Sequence, residues 1–288
     1  MLCSTSCILW LIVAAAVWLL LAAIGALAER RSGDGGRGPD GVASPRPDLS
    51  TALAALLIAV YLRLVHRMRI EGVEHLAAAV GALEGEGGKK ARGLVVTANH
   101  AAGIDPLLVQ SAVGGSFFIR WLAAADTVSP LVQPFVEFAD VIFLKSSGGG
   151  GVGGGNGGGE LAGVREAIRY VQGDPTHTLM QGRPGVIGLF PEGRIARRSG
   201  VITPFQPGIG LIIARSRGLV LPVVLRGVPV RDNTYRSFFV LSRATVEFKA
   251  PIDYAALGVK AGDITAELQG RYEKWVGPVV APMGRTNK

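Results

Sequence analysis

The feature that most restricts the fold is an apolar run with a polar turn directly behind it. Gly93-Leu94-Val95-Val96-Thr97-Ala98 reads as a buried strand, and Asn99-His100-Ala101-Ala102-Gly103-Ile104-Asp105 follows at once. Pro106-Leu107-Leu108-Val109-Gln110 then reads as the first turns of a helix. A strand, a tight turn and a helix in that order suit an open α/β sheet, which places its chemistry at the carboxyl ends of its strands. His100 and Asp105 share this turn. A carboxylate within reach of one imidazole nitrogen fixes the tautomer and leaves the other nitrogen to accept a proton. The same residues also fit a local role, with Asp105 as helix cap and Pro106 at the first helical position.

Strands and helices alternate through most of residues 65–275, so one α/β domain is the economical reading. Val65 to Glu71 reads as a strand and Val73 to Leu83 as an Ala-rich helix. Phe117 to Ala125 reads as strand then helix, Leu131 to Phe138 as helix, and Asp140 to Leu144 as a short strand ending in Lys145. Glu160 to Val171 carries apolar residues at Leu161, Val164, Ile168 and Val171, a helical face. Val186 to Phe190 is strand-like, Ile209 to Arg215 helical, and Leu219 to Leu225, with Pro222 inside it, suits a strand near an edge or bulge. Phe238 to Leu241 and Thr245 to Phe248 read as a pair of late strands, and Ile264 to Trp275 as a closing helix. The tract at 148–159 is low in complexity and reads as a flexible insertion. No Gly-Lys-Ser/Thr follows it, which argues against a phosphate-cradling loop.

The amino terminus is of another kind. Ile8 to Ala28 is a charge-free run of 21 residues, about 31 Å as a helix against the ~30 Å hydrocarbon core of a bilayer. Its length and the lack of a preceding basic residue favour a retained anchor over a cleaved signal, although Ala26-Leu27-Ala28 resembles a cleavage site. Arg30, Arg31, Arg37 and Arg46 follow it, which orients the main domain to the cytosol. The expected organisation is an anchor over 1–30, a Gly/Pro/Ser linker over 31–50 and a catalytic domain over 51–280. Ala52 to Leu62 is too short to span a membrane and is followed by Arg63, His66, Arg67 and Arg69. It suits either a helix dipping into one leaflet or an ordinary buried helix.

Composition supports a membrane-associated protein with an anionic partner. Apolar residues make up 49% of the chain and the net charge is +8; the mean hydropathy is +0.36. No zinc spacing, basic recognition helix or aromatic-basic motif points to nucleic acid. The two cysteines, Cys3 and Cys7, lie at the amino terminus, which excludes a disulfide framework and an acyl-cysteine intermediate in the main domain. They are either inert or lipidated. His66, His75 and His177 have no carboxylate at motif spacing and are expected at the surface or an interface.

Four segments now line up: NHAAGID at 99–105, DVIFLKSS at 140–147, LFPEGR at 189–194 with FQPGIG at 205–210, and VLPVV at 220–224. Their order and spacing over roughly 65–255 resemble the glycerolipid acyltransferase family, whose best-known members acylate lysophosphatidic acid. The resemblance implies a single α/β domain, a mixed sheet flanked by helices, that moves a fatty acyl group from a thioester to a hydroxyl. It implies His100 as general base and Asp105 as its orienting carboxylate. Glu192 and Gly193 match positions implicated in acceptor binding. Phe190 and Pro191 shape that turn, Pro222 sits in the fourth motif, and Asn99 opens the first. Acyl-CoA, or an acyl-carrier protein, is the implied donor, as a co-substrate with no resident cofactor and no metal.

The residue chemistry agrees. A thioester is already activated, so the enzyme need only deprotonate the attacking hydroxyl and hold both reactants. No enzymic nucleophile is called for, and Ala214-Arg215-Ser216-Arg217-Gly218 lacks the first Gly of a nucleophile elbow. Arg194, Arg197 and Arg198 cluster after the Phe-Pro-Glu-Gly turn and suit a phosphate. A solvated basic loop is the alternative. Two departures from the family pattern bear on the acceptor. Arg194 and Ile195 replace its Thr-Arg, and Lys145 replaces an Arg, keeping the charge but losing the bidentate fork. A lysophosphatidic-acid-type acceptor is the leading expectation. Another lysophospholipid, glycerol 3-phosphate, a lipid hydrolase or a non-catalytic lipid-binding protein are the alternatives.

Overall fold

The structure, a computed structural model, describes residues 49–88, 90–124, 141–144, 159–174, 184–231 and 233–281. The expected anchor, the linker to residue 48, the 131–138 helix, Lys145, the Gly tract up to 158, Cys3, Cys7 and His177 lie outside the described residues. Among the described residues no helix is long and apolar enough to cross a membrane.

Seven strands form one sheet: β1 Arg69–Glu71, β2 Leu94–Ala98, β3 Arg120–Ala124, β4 Ile142–Leu144, β5 Val186–Leu189, β6 Leu219–Arg226 and β7 Thr245–Phe248. Their order across the sheet is β1-β7-β6-β2-β5-β3-β4. The sheet is mixed: β6 and β7 pair antiparallel, and the other pairings are parallel. All five residues of β2 are buried. A central strand covered on both faces needs such a continuous apolar run rather than alternation.

The helices are α1 Leu49–Val65, α2 Val73–Glu84, α3 Asp105–Ala112, α4 Gly159–Gln172, α5 Gly208–Ser216, α6 Tyr254–Leu257 and α7 Ile264–Trp275. Period-2 alternation sorts the strand residues onto two cores. Leu94, Val96, Ala98, Leu221 and Val223 face a cluster with Tyr61, Leu62 and Val65 of α1, Leu76 and Ala79 of α2, and Leu108 of α3. Val95, Ile187, Leu189, Val220 and Val224 face the opposite cluster with Ala167 and Val171 of α4, Ile212 and Ile213 of α5, and Leu268 and Tyr272 of α7. Tyr272 is fully buried, and its hydroxyl donates to the Thr97 carbonyl at 2.7 Å and accepts the Val223 N–H at 3.3 Å. That hydroxyl fastens the closing helix to the two central strands.

Several expectations need correction. Val65 ends a helix, and the strand begins only at Arg69. Residues 234–239 form a 3-10 helix, so Thr245 to Phe248 has no late-strand partner there. Strand β6, with Pro222, is interior and not an edge. The sheet tolerates Pro222 because its carbonyl faces β7, accepting the Lys249 N–H at 2.9 Å. The missing N–H faces the same side, and the pairing resumes past it at the Val220–Ile252 bridge, with one more residue on the partner segment than on β6. His66, expected at the surface or an interface, is fully buried, because the end of α1 turns inward beneath the 238–244 segment.

Candidate active site

β2 and β5 are neighbours and parallel, with Thr97 opposite Leu189. Their carboxyl ends therefore deliver the 99–105 turn and the 190–194 turn side by side, although these lie about ninety residues apart in the chain. Asn99 holds the first turn to β6 on the other flank. Its amide donates to the Leu225 carbonyl at 3.1 Å and accepts the Leu225 N–H at 2.8 Å. A side-chain amide thus stands in for a peptide group where the β2–β6 ladder stops.

Asp105 is the first helical residue of α3, with Ile104 at the cap position and Pro106 behind it. Its side chain does not cap the helix, contrary to the local reading. It turns back into the preceding turn, where Oδ2 accepts the N–H groups of Ala101 at 2.7 Å and Ala102 at 2.8 Å. The same oxygen lies 3.0 Å from His100 Nδ1. Asp105 is fully buried, and its Oδ1 has no hydrogen-bond partner among the described residues. His100 remains 14% exposed, and Nε2 has no protein partner among the described residues. A buried carboxylate fixing Nδ1–H leaves Nε2 as the basic, solvent-reachable nitrogen.

Glu192, which is 1% exposed, ties the two turns together. Oε1 accepts the His100 N–H at 2.7 Å, and Oε2 accepts the N–H of Thr203 at 2.7 Å and its hydroxyl at 2.8 Å. Burial raises the Glu192 carboxyl above its ordinary range, and the bonds from His100 and Thr203 oppose that rise. Both oxygens are engaged inside the protein, so Glu192 holds the site together rather than offering a free oxygen to an acceptor. Gly193 follows at φ 68°, exposed to solvent, and its N–H donates to Phe190 at 2.9 Å. Pro191 is buried in the same turn, and its carbonyl accepts the Gln206 N–H at 2.8 Å. Phe190 stacks on the His100 ring with centroids 4.0 Å apart. Pro222 lies beneath, in the sheet, and takes no part in the surface of the site.

The loop after Gly193 bends back to His100, since the Ala196 N–H donates to the His100 carbonyl at 2.7 Å. Ala196 is buried while Arg194, Arg197 and Arg198 are exposed, and none of the three has a hydrogen-bond or ion-pair partner among the described residues. The loop that bonds the His100 carbonyl thus carries three exposed arginines. Sequence reasoning missed Thr203, which anchors Glu192, and Trp121, which backs Phe190. Gly188 inside an apolar strand was the available signal for the latter. Among the described residues no three His, Cys, Asp or Glu side chains converge on a metal site.

The central strand of a mixed α/β sheet thus ends in a solvent-reachable imidazole backed by a buried carboxylate. Residues 67–226, more than half the chain, match the family model described as Acyltransferase. The chain belongs to the acyltransferase family, in line with its resemblance to the glycerolipid acyltransferases. Among solved structures, it is similar to the crystal structure of the 1-acyl-sn-glycerophosphate (LPA) acyltransferase, PlsC, from Thermotoga maritima. The TM-score is 0.54 at 16% identity, covering 90% of this chain and 94% of that one. At that identity the likeness speaks to the fold. No curated protein matches the chain.

Proposed function

We propose that this protein transfers a fatty acyl group from an acyl thioester, acyl-CoA, to the free hydroxyl of a lysophosphatidic-acid-type acceptor. The observation that carries this reading is the Asp105-backed His100 with an open Nε2 in an acyltransferase domain, and three exposed arginines on the loop that bonds the His100 carbonyl support it. Nε2 takes the proton of the acceptor hydroxyl as its oxygen attacks the thioester carbonyl carbon. The buried Asp105 carboxylate favours the imidazolium that forms. The tetrahedral intermediate collapses with cleavage of the C–S bond, and the imidazolium returns its proton to the departing thiolate. The products are an ester and free thiol, so the base is regenerated without an enzymic nucleophile or a resident cofactor. Arg194, Arg197 and Arg198, with Lys145, take the acceptor phosphate; Gly193 lets the backbone turn there without a side chain in the way.

An exposed apolar stripe on α1 supports a reaction at a membrane surface. Leu56, Leu57, Val60 and Leu64 of α1 are exposed to between 44% and 70%. They recur at helical spacing opposite the buried Tyr61, Leu62 and Val65, with Arg63, Arg67 and Arg69 exposed nearby. An apolar stripe bordered by cations suits the boundary between headgroups and acyl chains. It adds to the expected anchor at 8–28, with the catalytic domain on the cytosolic side.

The test is acyl transfer by the purified full chain in mixed micelles, using labelled acyl-CoA and a panel of lysophosphatidic acid, other lysophospholipids and glycerol 3-phosphate. Transfer to lysophosphatidic acid that disappears in His100→Ala is the expected result. Preference for another acceptor moves the assignment to that headgroup. Free fatty acid released without any acceptor makes the protein a hydrolase, and lipid binding without turnover makes it a binding protein.

A further inference from the structure

One hydrogen bond to Nδ1 fixes one atom of the imidazole and leaves the ring free to rock about that contact. The structure removes this freedom with two further rings. Phe190 lies on His100 with its plane 18° from the imidazole plane, and Trp121 lies on Phe190 with centroids 4.9 Å apart and planes 9° apart. The three rings come from the ends of β2 and β5 and from β3. They form one pile on the face of the sheet that carries α1, α2 and α3.

The pile depends on Gly188. Trp121 is paired with Gly188 in the β3–β5 register. A Cβ on Gly188 would come within 2.7 Å of Trp121 Cε3 and 2.9 Å of Cζ3. The bare glycine lets the indole lie across β5 and reach Phe190, two residues further along the same face. Stability alone does not account for an indole here. Trp121 is 4% exposed, and its Nε1 is buried with no hydrogen-bond partner among the described residues. A buried donor left unpaired is unfavourable, and a phenyl or aliphatic side chain would avoid it.

We propose that Trp121 is a positioning residue for the acyl transfer. It backs Phe190 so that His100 is clamped with Nε2 aimed at the acceptor hydroxyl. This rests on the reading of His100 as the base. A misplacement of about 1 Å at such a group is enough to slow a reaction roughly a hundredfold. Trp121 touches neither reactant, so its loss should act on turnover and not on binding.

The experiment uses the full chain in micelles with Trp121→Leu and Trp121→Phe. Trp121→Leu is expected to lower kcat by roughly tenfold to a hundredfold, with KM for the acceptor within about twofold. Trp121→Phe, which keeps a flat ring, restores most of the rate. The second readout needs no activity. The chain has four histidines, and labelling their ring carbons gives few signals, with that of His100 identified by its loss in His100→Gln. Protons over an aromatic face resonate upfield, so the His100 signal should move downfield or broaden in Trp121→Leu and stay near its place in Trp121→Phe. A wild-type kcat in Trp121→Leu, a rise in KM alone, or an unmoved His100 signal overturns the proposal. If Trp121→Leu does not fold, Trp121→Met, closer in volume, carries the same test. Retained transfer in His100→Ala would instead sink the base assignment, and the ring signal still reports whether Trp121 positions the imidazole.

Discussion

Glu192 Oε1 accepts the backbone N–H of His100 at 2.7 Å, across 92 residues of sequence. With Oε2 bonded to Thr203, one carboxylate supplies acceptors to both walls of the site. An amide cannot do this, because its nitrogen would face an N–H on whichever side it turned. Glu192→Gln should therefore destabilise the protein by about 1–3 kcal/mol and slow acyl transfer, measured by chemical denaturation and initial rates. The pH dependence has a definite sign. The folded carboxyl titrates above its ordinary 4.5 because of burial. The folded state then holds more protons than the unfolded state just above that value. The contribution is fully present below the unfolded value and is lost as pH rises through the folded one. Glu192→Gln should flatten that segment of the stability curve, and identical wild-type and variant slopes would count against it.

Asp105→Asn separates charge from geometry. The amide oxygen can still accept the N–H groups of Ala101 and Ala102, which Oδ2 receives at 2.7 and 2.8 Å. Its NH2 then occupies the position of Oδ1, which has no partner to lose. The fold should survive, but the imidazolium formed during proton transfer loses its counter-charge. A fall in kcat of roughly 10²–10⁴-fold is expected, by analogy with carboxylate-to-amide changes behind other catalytic histidines. Unchanged circular dichroism with that loss supports the pair. Turnover within about tenfold of wild type would show that Asp105 orients the ring and does little else.

These two residues mark what was legible in the sequence. The apolar run of β2 and the polar turn behind it announced a strand end with chemistry, and a His and an Asp within one turn have little room to avoid each other. The direction of Asp105 was not legible. A residue placed to cap α3 and a residue turned back into the preceding turn look alike in one dimension. Glu192 is similar: its motif was plain, but its engagement by Thr203 depends on a loop closing from 11 residues away. Pro222 read as an edge or bulge signal because the rule assumes a neighbour for every N–H; the strand is interior, and the partner segment carries one extra residue between Lys249 and Ile252 where that N–H is missing. His66 read as a surface or interface residue because no carboxylate lies at motif spacing, whereas the 238–244 segment folds over it.

Gly103 meets Thr234 where the 99–105 turn rests on the 3-10 helix. A Cβ there would stand 2.2 Å from Thr234 Cγ2 and 2.8 Å from its carbonyl oxygen. Gly103→Ala should push the two segments apart, at about 1–3 kcal/mol for overpacking, and displace His100 enough to lower the rate. Thr234→Ser removes Cγ2 but not the carbonyl, so the double variant should recover part of the loss. Thermal melting and kcat for the four proteins of the cycle measure the coupling. Strictly additive effects would show that the clash is relieved elsewhere.

His66 offers the last test, because it is a titratable group buried away from the catalytic turn. Its Nδ1 lies 2.9 Å from Ser242 Oγ and its Nε2 lies 3.1 Å from the Tyr61 hydroxyl. Tyr61 donates its own proton to the Phe238 carbonyl. The consistent assignment is therefore a neutral ring with the proton on Nε2, accepting from Ser242. Burial pulls the ring from its ordinary 6.5 down to about 4, only partly offset by the Phe238 carbonyl. The unfolded chain then binds more protons than the folded one between those values. The resulting stability is present above pH 6.5 and is lost as pH falls through 4, a difference of order 3 kcal/mol. Glu192 acts with the opposite sign in the acid range, so each effect is read as the difference between variant and wild type. His66→Gln, which cannot titrate but can still donate to Tyr61, should show a shallower loss of stability between pH 6.5 and 4. Parallel curves for the two proteins would mean that the ring charges without leaving its site, and that the α1 end opens to water more readily than its packing indicates.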